Sequence, residues 1–220
     1  MSVITTSAVL FIIGSSLFAL GSALSLSLEP IITALHINLI FFIGSIFFTS
    51  AAYVQLLSSL NPKFALEPIK SSFSNSEFKF FGYSKKDAGY ISSLVQFIGT
   101  LLFNVDTFTA YLNESAFVIW TPNMLGSIAF MISSIIFLKD RYSYYPSIWM
   151  SVSGDISFIN MLGSIFFQIS ALVVIPTLTY SIYLANLTTL LGAICFFIAS
   201  YIMIPKVEKI VAIKLRINEE

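Results

Sequence analysis

A lone carboxylate inside an apolar stretch is the residue in this chain best placed to do chemistry. Asp106 stands in the run 90–112, which holds no other Asp, Glu, Lys or Arg. Such a group costs several kcal/mol in a bilayer unless it faces a partner or water, so a role in binding an ion or carrying a proton is the default reading. Asp106 lies toward the end of its stretch, where reaching the interface or capping a helix is the competing role. Asn104 and Thr107 flank it, and Trp120 and Asn123 enter the next apolar stretch from the same side. Together they would form a polar pocket with one aromatic wall. His36 approaches from that side too, although a lone histidine is a hydrogen-bonded packing residue more often than a proton relay. Asn38, Asn160, Asn186, Gln96 and Gln168 read as interhelical hydrogen bonds worth ~0.6 kcal/mol each.

Other chemistries have no residues to carry them. There is no glycine-rich phosphate loop, no His-Glu-x-x-His and no serine with a His/Asp pair, so the chain is not expected to be an enzyme. The single cysteine, Cys195, and the single histidine, His36, cannot build a disulfide framework or a zinc site, and neither a metal nor a cofactor is expected. Eleven Lys and Arg balance eleven Asp and Glu without clustering on an aromatic surface, which excludes nucleic acid.

The elements that position these residues follow from hydropathy. The chain is 57% hydrophobic and 10% charged, with a mean hydropathy of +0.90; soluble domains carry ~25% charge. A spanning helix needs roughly 20 apolar residues, and stretches at about 3–27, 31–57, 90–112, 117–138, 155–176 and 178–204 qualify. The expected fold is all-α, a single six-helix transmembrane domain over 1–204 with a tail at 205–220. The long polar segment 58–89 opens with Asn61-Pro62 and reads as a loop. Its Phe73, Phe78, Phe80 and Phe81 would either lie in the membrane interface or pack beneath the helix ends. Asp155, beside Gly154, reads as the N-cap of the fifth span.

Every basic residue falls in that loop, at Lys139 and Arg141, or in the tail. With six spans these places share one side, so both termini are expected to be cytoplasmic in a multi-pass plasma-membrane protein. The opposite connections hold only Glu29 and Glu114, and Tyr142, Tyr144, Tyr145 and Trp149 would join an inner aromatic belt. No Lys or Arg precedes the first span, which is therefore read as retained and not as a secretory signal. Asn113-Glu114-Ser115 fits a glycosylation acceptor, a triplet common by chance.

Each span carries a short signature of Gly, a small residue, two further residues and Phe, beginning at Gly14, Gly44, Gly99, Gly126, Gly163 and Gly192. In lipid, small residues let helix backbones approach, and a Phe at i+4 packs beside the gap. Paired as consecutive spans, the glycines lie 30, 27 and 29 residues apart. That spacing gives three hairpins all starting from one side, hence a parallel repeat about a pseudo-threefold axis. A competing partition pairs spans four and five, where Asn123-Met124-Leu125-Gly126-Ser127-Ile128 and Asn160-Met161-Leu162-Gly163-Ser164-Ile165 are identical. Seven and eight residues after each glycine the residues are small in five spans; in the third they are Asp106 and Thr107.

Gln96 through Thr107, Trp120-Thr121-Pro122-Asn123, Gly126-Ser127, Asn160 through Ser164, and Asn186 with Gly192 through Phe196 are similar to a family of uncharacterised prokaryotic multi-span integral membrane proteins, and more loosely to the YrhK-like membrane proteins. The resemblance implies the architecture and no activity. Two functions are compatible with all of this: a small transporter or channel with a polar site in the outer half around Asp106, or a non-transporting scaffold or partner-binding subunit. In the second, loop 58–89 and the tail would meet anionic lipid or a cytosolic partner. The lipid bilayer is the expected surrounding in both, and self-association into a homo-oligomer is compatible with either.

Overall fold

The computed structural model describes residues 1–27, 32–84, 87–144, 152–177 and 181–219. Among them the chain is helical: α1 (Val3–Ser25), α2 (Ala34–Leu60), the short α3 (Ile69–Phe73), α4 (Ala88–Tyr111), α5 (Ala116–Tyr144), α6 (Val152–Leu172) and α7 (Ile182–Glu219). Six helices, all but α3, are long and apolar enough to cross a membrane, the construction of a multi-pass membrane protein. Helices are what lipid demands, because every backbone N–H and C=O must be satisfied within the protein.

Some boundaries differ from the sequence expectation. The polar segment 58–89 holds a 3-10 turn at Pro62–Phe64 as well as α3. The last membrane-length stretch ends at Ile204, but the helix does not end there, for α7 continues through the tail to Glu219; Glu, Lys, Ala, Leu and Arg beyond Pro205 are strong helix formers. Asp155 does not cap α6, which begins three residues earlier; it lies in the first turn, where a carboxylate complements the helix dipole. Glu29, Lys85, Lys86, Tyr145 and Trp149 lie outside the described residues, as do the side chains of Arg141, Tyr142 and Tyr144.

The spans close into a ring: α1 packs on α2, α2 on α4, α4 on α5, α5 on α6, α6 on α7, and α7 back on α1. The glycines sit at three of these crossings. A Cβ on Gly14 would lie 3.1 Å from the Gly44 carbonyl oxygen, one on Gly126 3.1 Å from that of Gly99, and one on Gly163 3.2 Å from that of Gly192. Each approach is flanked by the partner's Phe four residues on: Phe48 over Gly14, Phe18 over Gly44, Phe130 over Gly99, Phe103 over Gly126, Phe196 over Gly163 and Phe167 over Gly192.

Those phenylalanines, all buried, meet inside the ring. Edge-to-face pairs join Phe18 to Phe48, Phe48 to Phe196, Phe103 to Phe130 and to Phe167, and Phe196 to Phe130 and to Phe167, at centroid separations of 5.2, 6.0, 5.2, 5.8, 5.6 and 5.3 Å. That geometry suits the ring quadrupoles. The residue after each glycine is also fully buried. Where it has a hydroxyl, that group donates to its own helix: Ser15 to the Phe11 carbonyl, Ser45 to Phe42, Thr100 to Phe97, Ser127 to Met124 and Ser164 to Asn160. Burial therefore leaves none of these hydroxyls without an acceptor.

The segment after α2 closes one end of the ring, referred to below as the loop end. Val3 and Ile4 donate backbone N–H groups to the carbonyls of Glu67 and Ala65, and Ile69 donates to Met1. The first N–H groups of a helix lack intrahelical partners, and here the loop supplies two acceptors. Asn61 clamps the segment from both sides, its Nδ2 donating to the Lys79 carbonyl and its Oδ1 accepting from the Lys79 N–H, each at 2.8 Å. Phe78 is buried among Phe64, Phe73 and Phe80, whereas Phe81 is 87% exposed. The four sequence-flagged phenylalanines thus divide between a small core and a free ring. At the other end α4 stops at Tyr111, and Asn113 just beyond its cap has a φ of 58°, the left-handed conformation that ends helices.

Gly126→Leu is expected to destabilise the bundle by ~1–3 kcal/mol, because a branched side chain must displace the Gly99 backbone or the Phe103 ring. Ile132→Leu, at an exposed position of the same helix, is the control. Equal melting temperatures in detergent for the two variants would place Gly126 away from any tight contact.

Candidate functional site

Asp106 lies in the last turns of α4 at the end opposite the loop. It is half-buried and borders a cavity of about 220 Å³. Helix direction decides its neighbours: α4 and α6 reach this end at their C-termini, while α2, α5 and α7 begin here. The cavity accordingly draws Asn38 from α2, Asp106 and Thr107 from α4, Asn123 from α5, Ser170 from α6, and Asn186 and Thr189 from α7. Phe18, Phe103 and Phe167 form its floor, on the central aromatic layer.

Most polar neighbours have structural partners. Asn38 Nδ2 donates to the Ala110 carbonyl at 2.9 Å, satisfying the last turn of α4. The Thr107 hydroxyl bonds Ser45 Oγ at 2.9 Å and donates to the Phe103 carbonyl at 2.7 Å. The Ser170 hydroxyl bonds Thr189 Oγ1 at 2.7 Å and donates to the Ala185 carbonyl at 3.0 Å. Asp106 differs. Among the described residues its carboxyl group is in no ion pair, the pair Lys63–Glu77 lying in the loop segment. Among the described residues Asp106 is also the one ionisable side chain of the cavity wall. The arrangement offers a carboxyl group, amides from three helices and three hydroxyls around a space large enough for several waters or a small solute.

Of the sequence-selected residues, the structure brings together Asp106, Thr107 and Asn123. Asn104 faces away from the cavity wall, and its Oδ1 is buried without a hydrogen-bond partner. One residue step is 100° around a helix, so residues two apart cannot share a narrow face. Trp120 does not line the cavity: its Nε1 donates to the Ala171 carbonyl at 2.9 Å, capping the C-terminus of α6. His36 lines a separate apolar hollow with Ile32, Leu39 and Ile43, its Nδ1 paired with Thr33 Oγ1 at 2.7 Å. Asn38 and Asn186, read as packing amides, are wall residues. Both stand six positions before their glycine, and that shared offset was the available signal.

Trp120→Phe deletes the indole donor and leaves a carbonyl of α6 unpaired, which is expected to cost ~0.5–1.5 kcal/mol. A melting temperature unchanged by the substitution would show that the hydrogen bond does not hold α5 to α6.

Compared with known protein families, curated proteins and solved structures, the chain matches none, so the reading of this site stands on its own geometry.

Proposed function

We propose that the protein is a small transporter or channel, with Asp106 as the working group of a site opening on the outer face of the plasma membrane. The observation that carries the proposal is the unpaired carboxyl of Asp106 in a cavity walled by amides from three helices. A packing role would be served by a residue with its hydrogen bonds made, as Trp120 and Asn38 have. Three α-helical hairpins, α1–α2, α4–α5 and α6–α7, form a parallel repeat in this reading, supported by the reciprocal glycine contacts within each. Both termini and the 61–84 segment are cytoplasmic, supported by the Lys and Arg distribution. Anionic headgroups are the natural partner of the lysines in that segment. Membership of the family of uncharacterised prokaryotic multi-span membrane proteins, with a looser likeness to the YrhK-like proteins, and a non-enzymatic role complete the proposal. The scaffold alternative is favoured by the tightness of the glycine crossings, and the experiment on Asp106 separates the two.

Asp106→Asn keeps volume and hydrogen-bonding capacity and deletes the charge. In reconstituted vesicles the substitution is expected to abolish solute flux while leaving the melting temperature close to that of the parent. Unchanged flux in a normally folded variant would reject the carboxylate as the working group and favour the scaffold.

The orientation has its own check. A cysteine at position 70, or one appended to the C-terminus, is expected to resist a membrane-impermeant thiol reagent added to intact cells; labelling at either position would reverse the topology.

A further inference from the structure

A second cavity, of about 240 Å³, occupies the loop end of the ring. Its wall is largely apolar, with Phe11, Ile156 and Met203, and carries hydroxyl and amide groups from Ser92 and Ser93 on α4, Ser133 and Ser134 on α5, and Gln55 and Gln96. Several of these hydroxyls already bridge helices, Ser92 with Ser133 at 3.0 Å and Ser134 with Ser164 at 2.7 Å. Among the described residues no Asp, Glu, Lys, Arg or His lines it.

The two cavities approach each other at the aromatic layer. Phe167 forms part of the floor of the Asp106 cavity, and Phe196 lines the serine cavity. Their ring centroids are 5.3 Å apart, so this edge-to-face pair is a direct contact through the aromatic layer between residues that line the two spaces. A hydrophobic constriction of this kind blocks passage by excluding water and needs only ring displacement to admit it.

We propose that the two cavities are the halves of one path for a small monovalent cation, with the Phe167–Phe196 pair as its barrier and Asp106 as its selecting group. This rests on the transport reading above and adds the solute class and the route. The chemistry of the walls decides the class. Among the described residues no basic side chain lines either cavity, so an anion would meet a carboxyl group and no counter-charge from them. A divalent ion is normally held by several carboxylates or a near-complete octahedral shell, whereas among the described residues no three His, Cys, Asp or Glu come together. One carboxylate with amide and hydroxyl oxygens suits a singly charged ion, which would also neutralise Asp106 inside the membrane. The serine cavity supplies neutral oxygens that solvate such an ion without trapping it.

The test uses the full chain in vesicles and follows potassium, sodium, chloride and glycerol. Potassium or sodium flux without chloride or glycerol flux is expected. Phe167→Ala combined with Phe196→Ala should raise cation flux severalfold, and adding Asp106→Asn should remove the increase. Phe196→Leu, which retains most of the ring volume, should raise flux in the same direction and guards against unfolding of the double variant. Glycerol flux in place of cation flux would overturn the solute class and leave a transporter. No flux of any solute, from wild type and a Phe196→Leu variant of normal melting temperature, would overturn both readings. A cation leak that survives Asp106→Asn would overturn Asp106 as the selecting group, and flux unaffected by Phe196→Leu would overturn the barrier.

Discussion

Two helix backbones meeting at a glycine are the contact on which the rest of this bundle depends. In lipid there is little hydrophobic gain in bringing helices together, so close van der Waals packing must supply the attraction. At the pairs Gly14–Gly44, Gly99–Gly126 and Gly163–Gly192 the missing side chains let the backbones come so close that a Cβ added to Gly14, Gly126 or Gly163 would lie 3.1 to 3.2 Å from the other helix's carbonyl oxygen. That proximity sets the height at which each Phe four residues later sits, and hence places all of them in one layer. Remove the glycines and the layer loses its register; the cavities above and below it lose their common floor.

Polar groups in this ring are mostly spent on finishing helices. Trp120 and Asn38 satisfy the ends of α6 and α4, the serines after the glycines bond their own turns, and the carbonyls of Ala65 and Glu67 receive the start of α1. A membrane protein has no water in its hydrocarbon zone to do this, so side chains and loops take the role. Asp106 is not occupied in this way among the described residues, and unlike Asn104, whose Oδ1 is also without a partner, it borders a cavity.

The spans were legible because hydropathy and length are nearly sufficient in a bilayer, and the glycine–phenylalanine signature was legible because it recurs in all of them. Legible from an offset, too, was the carboxyl group at a position where other spans are small. The membership of the cavity was only partly so. Nearness in sequence suggested Asn104, while the turn of α4 carries it away from Asp106; nearness to the same end suggested Trp120 and His36, while each finds a local acceptor or neighbour first. Asn38 and Asn186 come from helices distant in sequence, and which helices adjoin is decided by ring closure, which no local pattern encodes. The helical continuation of α7 was hidden by a drop in hydropathy that marks the end of a membrane span and not the end of a helix.

The contact between α1 and α7 joins the first of these helices to the last of them. Neighbours such as α1 and α2 can pair soon after they leave the ribosome, but the ring cannot close until α7 has been made. Throughout that interval one flank of α1 faces lipid or the insertion machinery, and the aromatic layer is incomplete. Loop closure over such a separation is the slow kind of folding step. Loss of the closing helix, by premature termination before α7 or by early proteolysis, would leave an open arc of helices whose unpaired edges invite those of another copy, making the arrival of α7 a checkpoint on assembly.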